Sequence, residues 1–168
     1  MDVKRIVAAV ALLAVLAGTW AWWKSDRRRL GARLDEVEAL FEKGGPEDQL
    51  TSFGRTRQIV ALFAPGFVAS ARPYEGTITD PQQLAAVVMR YRDGAERIEV
   101  GDSERAIELD PARGTAGTTA VFAVRGERPG GPGGERFRAR IAWVRVEGEW
   151  RIQEFEVLEV LEGSLLGF

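Results

Sequence analysis

Residues 135–161 read ERFRARIAWVRVEGEWRIQEFEVLEVL, and this stretch decides the fold. Apolar Phe137, Ile141 and Trp143 lie at odd-numbered positions, and Arg138 and Arg140 lie at even-numbered ones, the alternation typical of a strand with one face in water. The sequence then turns tightly at Gly148 and a second strand follows, so the pattern predicts a β-hairpin. Segments 95–109 and 115–126 are also rich in Val, Ile, Phe and Thr. The second half of the chain therefore predicts four antiparallel strands.

The first half of the chain has helical periodicity instead. Leu30, Leu34, Val37 and Phe41 recur every three or four residues, which predicts an amphipathic helix ending at Gly44-Gly45. A second helix is predicted from Pro46 through Phe63, a short strand at 67–70, a turn at 72–76, and a third helix from Pro81 to Gly94. The Gly/Pro-rich segment 127–135 predicts a long hairpin loop, too flexible to build a rigid site. Helices on one face of a curved antiparallel sheet form an α+β fold.

Residues 6–23 form an unbroken apolar run, IVAAVALLAVLAGTWAWW, flanked by basic residues. At helical rise it would span about 27 Å, close to the thickness of a bilayer core. The sequence predicts an N-terminal transmembrane anchor at 1–29, a domain at 30–161 and an apolar tail at 162–168. A signal peptide cleaved before Gly18 is the alternative. The residues expected at the membrane interface are Trp20, Trp22, Trp23, Lys24, Arg27, Arg28 and Arg29.

The flanking charges and the length of the leading tail point to opposite orientations of the predicted anchor. Four basic residues after the run favour a cytoplasmic domain, whereas the very short leading tail favours export. We expect a single-pass membrane protein whose domain lies on the periplasmic or extracytoplasmic side, and the cytoplasmic side remains open.

Composition excludes several function classes. From Leu30 onward there are 17 Lys or Arg and 23 Asp or Glu, so a nucleic-acid partner is not expected. The chain has no His and no Cys, which removes the usual general base, thiol catalysis and structural zinc sites. We predict no metal and no cofactor, and we interpret Asp102 and Glu104 as a solvated bend.

The order helix–helix–strand–helix–four strands resembles the nuclear transport factor 2-like (SnoaL-like, cystatin-like α+β) superfamily. The resemblance rests on Leu62-Phe63-Ala64-Pro65-Gly66-Phe67-Val68, the helix opening at Pro81, and the hairpin Gly148-Glu149-Trp150-Arg151-Ile152. It implies a cone whose sheet curls around a pocket, often with dimerisation through the outer sheet face. The superfamily includes isomerases, dehydratases, binding proteins and scaffolds, so it does not imply one function.

The resemblance also implies where catalytic groups would lie. Isomerase-like members carry a carboxylate just before a proline at the end of the first strand, and here Arg72 precedes Pro73. Arg stays protonated and cannot act as a base. The oxyanion-stabilising Tyr is also missing, since no Tyr precedes Tyr74, and so is the His of dehydratase members. We therefore predict no catalytic residues, and the candidate pocket residues are the aromatics Tyr91, Phe122, Trp143 and Trp150.

Three functions remain open. The first is a non-catalytic, membrane-anchored domain that acts in assembly, with a protein partner or second copy on the outer sheet face (Arg138, Arg140, Arg145) or on the tail. The second is binding of a small apolar or lipid-derived ligand in the cone, and the third is an isomerase- or dehydratase-like enzyme with a non-standard residue set. A filled cone would favour the first, and a deep cavity with inward-facing carboxylates would favour the third.

Overall fold

Helices lie on one face of a six-stranded sheet in the computed structural model, which describes residues 25–72, 76–110, 112–128 and 131–165. The helices of this part of the chain are α1 (25–41), α2 (Gln49–Ala61) and α3 (Pro81–Asp93). The strands are β1 (Phe63–Ala71), β2 (Thr77–Ile78), β3 (Arg97–Asp110), β4 (Thr115–Arg128), β5 (Gly131–Val146) and β6 (Glu149–Glu162).

The strand order is β2-β1-β6-β5-β4-β3. All neighbours are antiparallel except β1 and β6, which run parallel. The predicted α+β architecture is confirmed, with this one parallel pair added. The predicted flexible loop at 127–135 is wrong, because β4 and β5 stay paired as far as Arg128 and Gly131 without a register shift. A Gly/Pro-rich composition does not end a hairpin whose backbone hydrogen bonds continue in register.

Side-chain caps fix where α2 and α3 begin. The Asp48 carboxylate accepts a hydrogen bond from the Thr51 amide, so α2 begins at Gln49 and not at Pro46. Asp80 caps α3 in the same way, with Pro81 in its first turn. At its other end α2 is shorter than predicted, because Phe63 already belongs to β1.

The buried side chain of Arg92 caps the carboxyl end of α1. Arg92 of α3 is fully buried and donates hydrogen bonds to the carbonyl oxygens of Leu40, Phe41 and Glu42. Its second terminal nitrogen binds both carboxylate oxygens of Glu47, at 2.9 and 2.7 Å. The last carbonyls of a helix have no partner within the helix, so this guanidinium supplies the missing donors and ties α1 to α3.

The amino half of α1 covers a core built around two tryptophans. Leu30 and Leu34 pack with Trp143 and Trp150, and all four are at most 6% exposed. The predicted outer-face position of Arg145 is wrong. Its guanidinium lies 4.7 Å from the Trp150 ring centre and forms a 2.7 Å ion pair with buried Asp26.

Arg145 therefore lies on the helix side of the sheet, because it alternates in phase with Trp143. Its partner Asp26 belongs to α1, so the predicted boundary between residues 29 and 30 falls inside this helix.

The outer sheet face carries alternating charges. Arg138 pairs with Glu104 at 3.1 Å, and Arg140 lies 3.1 Å from Glu156. Arg72, at the end of β1, also binds Glu156 at 2.9 Å, and its hydrogen bond lowers the pKa of that carboxyl. This face is therefore polar and internally paired.

The predicted anchor lies mostly outside the described residues, as do Trp20, Trp22, Trp23 and Lys24. Within the ranges that the structure describes, no helix has both the length and the apolar character needed to cross a membrane. Arg27, Arg28 and Arg29 are exposed on α1, and Arg27 donates a 2.6 Å hydrogen bond to the Ile107 carbonyl.

Candidate ligand cavity

A cavity of about 480 Å³ lies between the helices and the curved sheet. Its walls come from α1, α2, α3, all strands and the segment after β6, and nearly all lining atoms are apolar. Representative lining side chains, one each from α1, α2, α3, β4, β5 and β6, are Phe41, Ile59, Val88, Val124, Ile141 and Phe155. Protein interiors are packed with few voids larger than a water molecule, so a space of this size is a distinct feature of the fold.

The structure divides the four predicted pocket aromatics into two pairs. Tyr91 of α3 and Phe122 of β4 line the cavity. Trp143 and Trp150 share its face of the sheet, but they lie in the core cluster under α1 and do not reach the cavity wall. The Trp143 indole N–H donates a 2.9 Å hydrogen bond to the Thr118 hydroxyl, which holds it in that core.

One wall of the cavity carries an ionisable cluster. Glu38 of α1 lines the cavity, and Asp102 and Arg105 of β3 lie next to it. Arg105 binds Asp102 through two hydrogen bonds of 2.8 and 2.6 Å and reaches Asp35 at 2.8 Å. The same guanidinium is 3.6 Å from Glu38 Oε1, too far for a hydrogen bond. Glu38 Oε1 is buried and has no hydrogen-bond partner.

These contacts separate the pKa values of the two carboxyls. Burial raises the pKa of Glu38 to about 7, and a hydrogen bond to Asp102 and the charge of Asp102 add to the effect. The hydrogen bonds from Arg105 hold the pKa of Asp102 below its usual range. Near neutral pH, Glu38 thus exchanges a proton while Asp102 stays ionised. A carboxyl with this behaviour in an apolar cavity is suited to bind a polar group or to transfer a proton.

A second polar group faces the cavity from the other side. Glu135 of β5 is buried, and one of its carboxylate oxygens lies 3.5 Å from Arg128. Tyr91 lies beside both, with the Arg128 guanidinium 5.5 Å from its ring centre. Burial and the nearby Glu135 charge raise the pKa of Tyr91 to about 12, so its hydroxyl stays protonated. It is therefore available as a hydrogen-bond donor.

Several sequence predictions change at this site. The interpretation of Asp102 as a solvated bend is wrong, because its side chain is only 10% exposed and faces Glu38. Glu104 does lie at a bend, in a register shift of β3 with φ 55°, and its carboxylate pairs outward with Arg138. Arg72 does not line the cavity and binds Glu156 instead.

Glu38 and Glu135 were not predicted as site residues. Both had a signal in the pattern: Glu38 continues the four-residue spacing of Leu30 and Leu34, and Glu135 continues the alternation of Phe137 and Ile141. An acid on an otherwise apolar face is the informative exception. Within the described ranges, no three His, Cys, Asp or Glu side chains are arranged to hold a metal ion.

The segment after β6 folds back onto the domain. Gly163 has φ +76°, and a Cβ at this position would overlap the carbonyl oxygen of Gly134. Leu165 follows, is 8% exposed and lines the cavity. In the tail, which we also considered as a partner surface, Leu165 therefore packs against its own domain, while residues 166–168 lie outside the described part.

The family profile described as SnoaL-like domain matches residues 49–156. A search of curated proteins gives no match. Among solved structures, a nuclear transport factor 2-like protein with a cystatin-like fold from Novosphingobium aromaticivorans has a TM-score of 0.62 at 16% identity, covering 99% of this chain and 94% of that one.

Two further structures from that organism have the same fold. A putative scytalone dehydratase has a TM-score of 0.65 at 11% identity, covering 82% of this chain and 85% of that one. A putative aromatic ring hydroxylase has a TM-score of 0.66 at 11% identity, with coverages of 82% and 90%. At these identities the likeness shows the fold alone.

Proposed function

We propose that this chain, which belongs to the SnoaL-like domain family, binds a small and largely apolar molecule in its cavity. The observation that carries the proposal is the cavity itself, about 480 Å³ with almost wholly apolar walls. Pockets of roughly 300–1,000 Å³ with apolar walls and a few polar groups are typical of small-molecule sites.

The volume limits the size of the ligand. The cavity has about 16 times the ~30 Å³ that one water molecule takes in the liquid. This suits a one- or two-ring compound or a medium-length hydrocarbon chain. Glu38 and Tyr91 are the polar groups that would orient it.

A matched pair of valine substitutions tests the proposal. Val124 lines the cavity, whereas Val144 lies on the opposite face of the sheet. Val124→Phe should fill part of the cavity and weaken binding of the neutral fluorescent probe N-phenyl-1-naphthylamine at least fivefold. Val144→Phe should leave binding unchanged. Probe bound elsewhere on the full chain contributes equally to both variants, so their difference reports binding in the cavity. Equal binding by both variants would place the probe outside the cavity and contradict the proposal.

Proton transfer on the bound molecule is the second candidate function. The observation that favours it is Glu38, whose pKa of about 7 suits a general acid or base at neutral pH. The test is deuterium exchange at the carbons beside the carbonyl of 2-decanone, followed by NMR. Exchange that is lost in Glu38→Gln or Asp102→Asn, and kept in exposed Glu36→Gln, would support an enzyme. Exchange at the same rate in all variants would contradict it.

We also propose that the apolar run at 6–23 anchors the domain to a membrane, with the domain on the extracytoplasmic side. The support is the sequence of that run and its basic flanks. Because Asp26 belongs to α1, the appropriate deletion removes residues 1–24 only. Full-length protein should stay in carbonate-washed membranes and the deletion variant should not. With no native cysteine, exposed Leu50→Cys reports the side of the membrane by labelling with an impermeant maleimide.

A protein partner or a second copy remains a proposal for the outer sheet face. Arg138 and Arg140 lie there, each paired with a glutamate of the same chain. Crosslinking in intact membranes, with Arg138→Ala as the variant, tests it, and the absence of any specific crosslink would contradict it.

A further inference from the structure

We infer that the cavity selects an apolar amine, with the hydrocarbon part against the apolar walls and the ammonium group bound by Glu38. The inference rests on the proposed ligand-binding function and names the chemistry of the ligand's polar end.

The charged side chains that line the cavity have one sign. Among the described lining residues, the charged types are Glu38 and Glu135, and no Lys or Arg is present. The nearest arginines already bind acids: Arg105 binds Asp102, and Arg128 pairs with Glu135. A ligand carboxylate would therefore meet acids without an available counter-charge, which is costly in an apolar site.

Glu38 lacks a counter-ion of its own. The charged groups around it are Asp35 on its own helix and Asp102 and Arg105 on β3. One terminal nitrogen of Arg105 already donates to both aspartates, at 2.6 and 2.8 Å, so three carboxyls share one guanidinium. A buried oxygen of Glu38 is left without a hydrogen-bond partner. A ligand ammonium would supply both the missing donor and the missing positive charge.

A neutral ligand would satisfy this wall less well. An alcohol can donate one hydrogen bond to Glu38 but cannot balance the excess of carboxylates. An ammonium group also competes directly with the proton on Glu38, since both bind the same carboxylate. Below the pKa of about 7 the proton occupies Glu38 in the empty protein, so each pH unit lower should weaken amine binding by up to about tenfold.

The experiment compares three ligands with the same ten-carbon chain: decylamine, 1-decanol and decanoate. The measurement is the displacement of N-phenyl-1-naphthylamine from the full chain by each ligand at pH 8 and at pH 5.5. Decylamine is charged at both pH values, because an alkylamine titrates near pH 10. At pH 8 the amine should bind at least tenfold tighter than the alcohol, and decanoate most weakly. At pH 5.5 the preference for the amine should shrink at least fivefold.

The variants separate the charge of Glu38 from its shape. Glu38→Gln should remove the preference for the amine while changing the affinity for 1-decanol less than threefold. Glu36→Gln, on the same helix and 47% exposed, should behave like the wild type. The wild-type pH profile tests the same point without any variant, so the result does not depend on how Glu38→Gln folds.

The outcomes distinguish the two proposals. If 1-decanol or decanoate binds as tightly as decylamine at pH 8, or the preference for the amine survives Glu38→Gln, the amine inference is wrong and the cavity remains a ligand site. If none of the three displaces the probe, and Val124→Phe does not change probe binding, the proposed function itself is wrong.

Discussion

Replacing Glu38 by Gln should stabilise the folded domain at pH 8 and flatten the dependence of its stability on pH. The pKa of Glu38 rises from an ordinary value of 4.5 to about 7 on folding, mainly through burial. Between these two values the folded state holds a proton that the unfolded state has lost, so wild-type stability falls as pH rises from about 4.5 to 7.

The size of the effect follows from the same two pKa values. Their difference corresponds to at most about 3.5 kcal/mol at about 1.4 kcal/mol per pH unit. Glu38 is 15% exposed and interacts with Asp102 and Arg105, so solvent screening and this coupling reduce the expected gain to about 1–2 kcal/mol. Gln has nearly the same shape and no charge to bury, so most of this gain should appear in the variant at pH 8.

Urea denaturation at pH 5 and pH 8, followed by tryptophan fluorescence, measures this effect. From pH 5 to pH 8, the unfolding free energy of the wild type should fall by about 1–2 kcal/mol more than that of Glu38→Gln. Glu36→Gln is the control and should retain the wild-type slope. A Glu38→Gln variant with the wild-type slope, or with lower stability at pH 8, would show that Glu38 is ionised and well paired in the folded state.

Three further substitutions test how the fold supports the cavity, each by urea denaturation at pH 7. Trp150→Ala should cost about 3–5 kcal/mol, because the ring is 6% exposed in the core under α1. Arg92→Met should cost a similar ~3–5 kcal/mol, since it leaves Glu47 and the last carbonyls of α1 without their donor. Gly163→Ala should cost about 1–3 kcal/mol, because the added methyl meets Gly134 at a positive φ, and it should also speed probe entry by displacing Leu165.

Each of these predictions has a control at the same or a nearby position. Trp150→Phe should cost less than Trp150→Ala, and equal costs would mean that the ring is not packed. Arg90→Met, on an exposed position of α3, should cost less than 1 kcal/mol, and a larger loss than for Arg92→Met would contradict the capping role. Glu162→Ala should leave probe entry unchanged, and Gly163→Ala with wild-type entry would show that Leu165 does not limit access.

Alternation and spacing predicted the sheet face of Trp143 and Trp150, although Arg145 was assigned to the wrong face. They did not predict how far along that face a residue lies. Trp143 and Trp150 were expected in the pocket and do occupy the correct face. They fall in the part of that face that α1 covers with Leu30 and Leu34, and local patterns contain no information on this tertiary contact. Tyr91 and Phe122 lie beyond that cover and line the cavity.

The ionisable cluster could not be predicted for a related reason. Glu38 lies on α1 and Asp102 on β3, 64 residues apart in sequence, and only the packing of α1 across the sheet brings them together. The parallel pairing of β1 with β6 is equally long-range. The strands of the hairpins, whose partners are adjacent in sequence, were predicted, although β4 and β5 extend into the predicted loop at 127–135.

The parallel pair of β1 and β6 has a consequence for synthesis of the protein. Phe63 pairs with Ile152, so β1 cannot find its partner until the chain has been synthesised beyond Ile152. Until then β1 has no strand to join it to the sheet that α1 covers, and pairing over such a separation closes slowly. We therefore expect nascent chains stalled before residue 149 to be sensitive to proteases and to bind chaperones. Release of the last strand should then fold the domain in one cooperative step.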